Sequence, residues 1–228
     1  MPSLAIAYPP VLREGDRLDS REFLRRWEAM PDLKQAELID GVVYFMPSPV
    51  SRLHGVVHYG VTNWLSLYSA VTPGCEGSLD GTWVMGADDV PQPDISLRIL
   101  PEFGGQSQDV GEYAAGAPEL VIEISGSSMS RDLGTKLDLY RRAGVREYLT
   151  ILLNPKQVIW RTLTRGRYQE FEPGEDGLLK SKVFPGLWLD PDALWNKKKS
   201  LRGAVELGVK SPDHAAFVKK LATARRRK

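Results

Sequence analysis

One carboxylate stands inside an apolar run. Residues 119–125 read Glu-Leu-Val-Ile-Glu-Ile-Ser, the composition of a central strand buried on both faces, and Glu123 interrupts it. Burying an ionised carboxylate is costly unless it is paired or binds a metal. Val121, Glu123 and Ser125 share one face of that strand, because successive side chains alternate. A second acid, Asp94, opens the preceding strand directly after Pro93. Acids on neighbouring strands can meet at metal-bridging distance. Magnesium asks for oxygen ligands and often takes only one or two protein carboxylates plus water. An ion held so polarises a phosphate and activates a water. A nearby lysine would stabilise the extra negative charge of the transition state. Lys136, on the helix after the Glu123 strand, supplies one, and Asp132 four residues before it shares its helical face.

Each residue also has a structural reading. Asp94 can simply open a strand after a proline, and Glu123 can be a buried ion-pair partner, with Lys136 as the other half. His54 and His58 sit four apart on a helix, a spacing that metals use. Gly55 stands where the zinc-protease pattern needs glutamate, so both are read as helix surface or capping. Trp27, Trp64, Trp83 and Trp160 are read as core, and Gly104-Gly105 as a loop with no phosphate-binding pattern.

The elements that must position these residues follow from periodicity. Residues 1–18, with Pro9-Pro10, read as an irregular arm. A first helix starts at Asp19, with Glu22 completing a capping box, and stops at Pro31. Leu38-Ile39, Asp40-Gly41 and Val42 to Met46 read as a hairpin. A second helix runs from Ser51 to about Ser69. Thr82 to Met85 is a short strand. Asp94 to Ile99 alternates, with Ile95, Leu97 and Ile99 on one side and Asp94, Ser96 and Arg98 on the other. After the Glu123 strand, a third helix spans about Arg131 to Ala143 and stops at Gly144. Tyr148 to Leu153 turns at Asn154-Pro155 and pairs with Val158 to Leu163, and Tyr168 to Phe171 adds a short strand. This order gives an α/β class with a mixed sheet covered by helices.

Pro93-Asp94 followed by Glu123-Ile124-Ser125 resembles the PD-(D/E)xK signature of the restriction-endonuclease-like superfamily. A longer stretch is more specific: Pro118 to Ser125, Arg131-Asp132, Lys136, Tyr140, and Ala143 to Tyr148. With Glu37 in Glu-Leu-Ile-Asp-Gly and the closing Phe184-Pro185-Gly186-Leu187, it resembles the bacterial Uma-type restriction endonuclease family over about residues 20 to 195. The resemblance implies an α/β/α sandwich around a mixed β-sheet. It implies a magnesium (Mg2+) site, with manganese (Mn2+) as a substitute, held by Asp94, Glu123 and Glu37. It also implies a displaced lysine: Ser125 occupies the usual slot and Lys136 takes over from the helix. Gly126-Ser127 stands where many members have serine-proline, and Leu149 and Leu152 replace a common tryptophan and aspartate. None of these is a proposed ligand. The implied activity is an endonuclease hydrolase acting on DNA, with Asp94, Glu123 and Lys136 catalytic. The alternative is a non-catalytic nucleic-acid-binding or regulatory protein that keeps the fold.

Length and composition set the frame. The 228 residues are 42% hydrophobic and 26% charged, ordinary for one globular body with an appendage. The single cysteine, Cys75, excludes an intrachain disulfide and a cysteine-rich zinc cluster. No apolar run approaches the ~18 residues of a membrane span. No signal-peptide pattern opens the chain, so the expected location is cytoplasmic. Net charge is +1 but uneven. Residues 197–228 carry eleven Lys or Arg against Glu206 and Asp213, a net +9, and residues 1–196 carry −8. The expected organisation is an arm (1–18), a restriction-endonuclease-like body (19–196) whose core lies before residue 197, and a basic tail (197–228) with a helix starting at Ser211-Pro212. Such a tail suits a polyanion partner or a solvated extension. Cutting both strands of a duplex usually needs two sites, which makes a homodimer plausible.

Overall fold

The structure is a computed structural model that describes residues 10–46 and 50–225. Half of the expected N-terminal arm, residues 1–9, lies outside these residues. The first elements are α1 (Ser20–Glu28), β1 (Ala36–Ile39), β2 (Val42–Phe45) and α2 (Arg52–Ala70). Five strands follow: β3 (Cys75–Leu79), β4 (Trp83–Val84), β5 (Ile95–Ile99), β6 (Gln108–Val110) and β7 (Tyr113–Ala115). Next come β8 (Leu120–Ser125), α3 (Met129–Asp132), α4 (Thr135–Ala143), β9 (Glu147–Leu153), β10 (Lys156–Thr164) and β11 (Arg167–Glu170). The chain closes with β12 (Leu179–Lys180), β13 (Trp188–Leu189), α5 (Leu201–Gly208) and α6 (Pro212–Arg225).

A six-stranded mixed sheet, in the order β11-β10-β9-β8-β5-β3, forms the middle layer. β8 and β9 pair in parallel across the α3–α4 crossover, and the other neighbours are antiparallel. One face carries Ile95, Leu97, Ile122, Ile124, Leu149 and Ile151, packed against Val61, Trp64 and Tyr68 of α2. The other face carries Val121 and Tyr148, packed against Leu139 and Tyr140 of α4 and Ile39 of β1. Helices therefore cover both faces, which is the expected three-layer sandwich. A smaller third core joins Leu12, Phe23, Ala36, Leu38, Val43 and Val90.

Local chemistry explains the boundaries that sequence located. Asp19 caps α1 by accepting from Glu22 N at 2.8 Å, and Ser51 caps α2 by accepting from His54 N at 3.1 Å. Gly144 ends α4 in the left-handed conformation, with φ 83. Others differ. The expected helix over Arg131 to Ala143 is two helices, broken at Leu133-Gly134. The chain folds back so tightly there that a Cβ on Gly134 would lie 2.8 Å from Ser130 O. Asp132 and Lys136 therefore do not share one helix. The strand expected over Thr82 to Met85 shortens to Trp83–Val84, and β3, β6 and β7 were not expected.

The basic segment corrects a larger expectation. Leu201 and Val205 of α5 and Phe217 and Leu221 of α6 are buried in the same core as the sheet, so the core does not end before residue 197. His214 of α6 meets Thr72 Oγ1 at 2.9 Å. The helix expected from Ser211-Pro212 is α6.

One buried acid ties the loop before β13 to the sheet. Glu147 accepts from Ser181 Oγ at 2.7 Å and from the backbone N–H groups of Lys182 and Val183 at 2.6 and 3.1 Å. Burial nonetheless raises its carboxyl to about 7 from an ordinary 4.5. Because the folded value is the higher one, its contribution is fully present below about 4.5 and is lost as pH rises through 7. Thermal melts of the wild type should fall in midpoint across that window. Glu147→Gln, which cannot ionise, should flatten this slope. An equal slope in the variant would assign the pH dependence elsewhere.

Candidate active site

β5 and β8 bring the two expected acids together. Their register sets Ile95 opposite Ile122, so Asp94 arrives at the Glu123–Ile124 end of β8. There Ile124 N–H donates to Asp94 Oδ2 at 2.6 Å. Pro93 cannot donate to a ladder, and the strand starts just beyond it. On β8, the alternation that sends Ile122 and Ile124 into the α2 face sends Glu123 towards α4. Lys136 Nζ donates to Glu123 Oε1 at 2.9 Å, and Tyr140 Oη, one helical turn on, donates to the same oxygen at 2.7 Å. Both bonds fall on Oε1, leaving Oε2 out of them.

Glu37 completes the cluster from the hairpin. Its Oε1 lies 2.7 Å from Lys136 Nζ and accepts from Gln92 N at 2.8 Å. Its Oε2 is buried with no hydrogen-bond partner. Asp132 turns the other way and accepts from Ser125 Oγ at 2.7 Å and Ser128 Oγ at 2.5 Å. Ser125 thus pins Asp132.

A cavity of about 470 Å³ opens on this cluster. Asp94, Glu123, Asp132 and Lys136 border it, and Glu37 lies behind Lys136, off the cavity wall. α2 supplies two groups that sequence set aside. His54 Nε2 stands 3.6 Å from Asp94 Oδ1, and His58 Nε2 donates to the Asp94 carbonyl at 3.2 Å. Both line the cavity rather than the outer helix surface. Their spacing of four was the available signal. That this face of α2 looks at Asp94 is a tertiary fact, set by the packing of Val57, Val61 and Trp64 on the sheet. In the sequence alone, the Tyr140 phenol reads as one more apolar-face aromatic of the helix.

The electrostatics are those of too many acids around one ammonium. Burial pulls the Lys136 ammonium down, but Glu123, Glu37 and Asp132 outweigh it and hold the group charged, above its ordinary value. Burial raises Glu123 well above the carboxylate range; Lys136 opposes this, and Asp132, Asp94 and Glu37 add to it. Asp94 is raised by burial against the pull of Ile124 N–H, His54, Lys136 and His58. Lys136 pairs with Glu37 and Glu123, while Asp94 is held by the Ile124 N–H and Asp132 by Ser125 and Ser128. Among the described residues, no three His, Cys, Asp or Glu side chains converge as a metal-binding group. Magnesium does not require three. Asp94 Oδ1 and Glu123 Oε2 both stand clear of the backbone and lysine bonds that hold their partner oxygens, and they fit a hard divalent ion completed by water.

Known proteins carry related architecture. A crystal structure described as "a putative nuclease belonging to DUF820 from Anabaena variabilis" superposes with a TM-score of 0.54 at 19% identity, covering 80% of this chain and 98% of that one. At that identity the likeness speaks for the fold. No curated protein matches the chain. The Uma2 sequence family, described as "Putative restriction endonuclease", matches residues 21–192, and the chain belongs to that family.

Proposed function

We propose that the chain is a metal-dependent endonuclease that hydrolyses phosphodiester bonds in DNA. The observation that carries this reading is the convergence of Asp94, Glu123 and Lys136 on one cavity wall, from two neighbouring strands and the following helix. In this reading Asp94 and Glu123 hold magnesium or manganese, which when bound supplies a Lewis acid and an activated water. Lys136 places its ammonium against the negative charge that grows as the water oxygen bonds to phosphorus and the ester oxygen leaves. Glu37 and Tyr140 orient that apparatus: Glu37 holds Lys136, and Tyr140 holds Glu123. His58 fixes the Asp94 backbone. Glu37 acts here through Lys136 rather than as a third ligand, since it is off the cavity wall.

Titration calorimetry with manganese should show one site, and Asp94→Ala should weaken it by about ten-fold or more, as expected for a lost ligand of a hard cation. Plasmid nicking should need magnesium or manganese and stop in EDTA. The rival reading is a structural ion-pair cluster, which the 2.7 and 2.9 Å contacts of buried Lys136 favour. It requires that neither metal bind. A non-catalytic DNA-binding member of the fold would bind DNA and never nick it. Equal manganese binding by Asp94→Ala would withdraw the ligand assignment.

A further inference from the structure

We propose, resting on the reading above, that the cavity admits an unpaired stretch of DNA, one nucleotide deep, and not the phosphates of an intact duplex. Three observations lead there. The reacting groups are recessed: the side chain of Asp94 is 18% exposed, that of Glu123 4% and that of Lys136 2%. A scissile phosphate must enter to meet them. A volume of about 470 Å³ is within the range of small-ligand clefts, typically about 300–1,000 Å³.

The lining divides by chemistry. Asp94, Glu123 and Lys136 sit on the reacting side. Met46, Val50, Leu53, Ile124 and Leu153 are the apolar lining of the cavity. Val50 and Leu53 are 64% and 37% exposed, so part of that lining is accessible to a ligand. A base that accompanies its phosphate inward needs such a surface. A paired base is already stacked between its neighbours and cannot offer its face. Enzymes that draw a nucleotide into a pocket therefore take single strands, or pay to unstack the base.

The charge pattern limits how much backbone can enter. Proteins that follow a nucleic-acid backbone, paired or single, neutralise several phosphates with Lys and Arg. Lys136 is the one Lys or Arg on the wall of this cavity among the described residues, and Glu37 and Glu123 already hold it. Asp80, Asp94, Glu123 and Asp132 share that wall. Such a surface repels a run of backbone phosphates and accommodates a single one at the reacting groups. A nuclease of this kind cuts one strand per visit, so its site is complete within one copy of the chain.

The test uses the full chain and one fluorescein-labelled oligodeoxynucleotide in three forms: single-stranded, fully paired, and paired with a short unpaired bulge. Binding is read by anisotropy with calcium in place of magnesium, and cutting is read separately with magnesium or manganese. The single strand and the bulged duplex should bind about ten-fold more tightly than the paired form, the scale of one seated base. Leu53→Ser, which removes apolar surface from a residue that is already partly exposed, should reduce that preference without lowering the melting temperature. Paired DNA bound as tightly as the single strand would overturn the inference, as would an unchanged preference in a well-folded Leu53→Ser. If no form is cut with either metal, the phosphodiesterase reading fails, and the binding comparison still decides which DNA the cavity takes.

Discussion

Lys136→Met should cost about 3–5 kcal/mol of folding stability, the usual cost of stripping one partner from a buried ion pair. The side chain is fully buried, and its ammonium is bonded to Glu37 and Glu123, both also buried. Methionine fills much of the volume and leaves both acids facing no cation. A drop in melting temperature would therefore say nothing about chemistry. Glu37→Gln together with Lys136→Met separates the two roles. It removes one of the stranded charges and should return much of the lost stability. Cleavage should stay down by about 10²–10³, the scale for one missing electrostatic donor. A double variant that regains both stability and wild-type cleavage would make Lys136 a structural cation only.

Ending the chain at residue 196 should leave a body that does not hold its native fold. The basic composition of residues 197–228 suggested a separable tail. Instead, Leu201, Val205, Phe217 and Leu221 fill the core that α2 and the sheet share. Burying side chains of this kind stabilises by roughly 1.5–3 kcal/mol each, so four amount to roughly 6–12 kcal/mol. A domain's entire stability is about 5–15 kcal/mol. The truncated chain should show a broad, low-temperature melt and poorly dispersed amide resonances. A cooperative melt within a few degrees of the full chain would mean that the two helices only rest on the surface. Any loss of DNA binding on truncation is thus no measure of the positive charge there. Lys219→Glu with Lys220→Glu is the cleaner probe of charge, since both residues are exposed.

What was legible in the sequence depended on how local its cause was. Glu123 was legible because a carboxylate in an apolar strand contradicts its surroundings. Asp19, Ser51 and Gly144 were legible because a cap or a left-handed stop acts within a few residues. β3 was not, because Cys-Glu-Gly-Ser-Leu has no alternation and becomes a strand only by lying along β5. The break at Gly134 was missed because a glycine inside a helical pattern is usually tolerated. α5 and α6 were misjudged because their few apolar positions are diluted among lysines and arginines, and burial depends on a groove that α2 and the closing strands create. At the site, the pairing of Lys136 with Glu123 was foreseen as one reading of two. The approach of His54 to Asp94 was not, because nothing near either residue in the chain encodes their distance.

Glu37 reaches Lys136 from a layer with a core of its own. β1 and β2 pair only with each other as strands, and they pack with α1 through Leu12, Phe23, Leu38 and Val43. A Leu38–Val90 bridge, the packing of Ile39 and Tyr44 against the Val121, Leu139 and Tyr140 core, and the contacts of Arg142 with Asp40 and Asp89 join this layer to the rest. Glu37 therefore sits at a joint held by apolar burial as well as by ion pairs. A substitution that loosened this joint, such as Phe23→Ala in the layer's own core, would act on Lys136 through Glu37 while leaving its bond to Glu123 in place. On the proposed reading, cleavage would then respond to a side chain that lies outside the cavity wall.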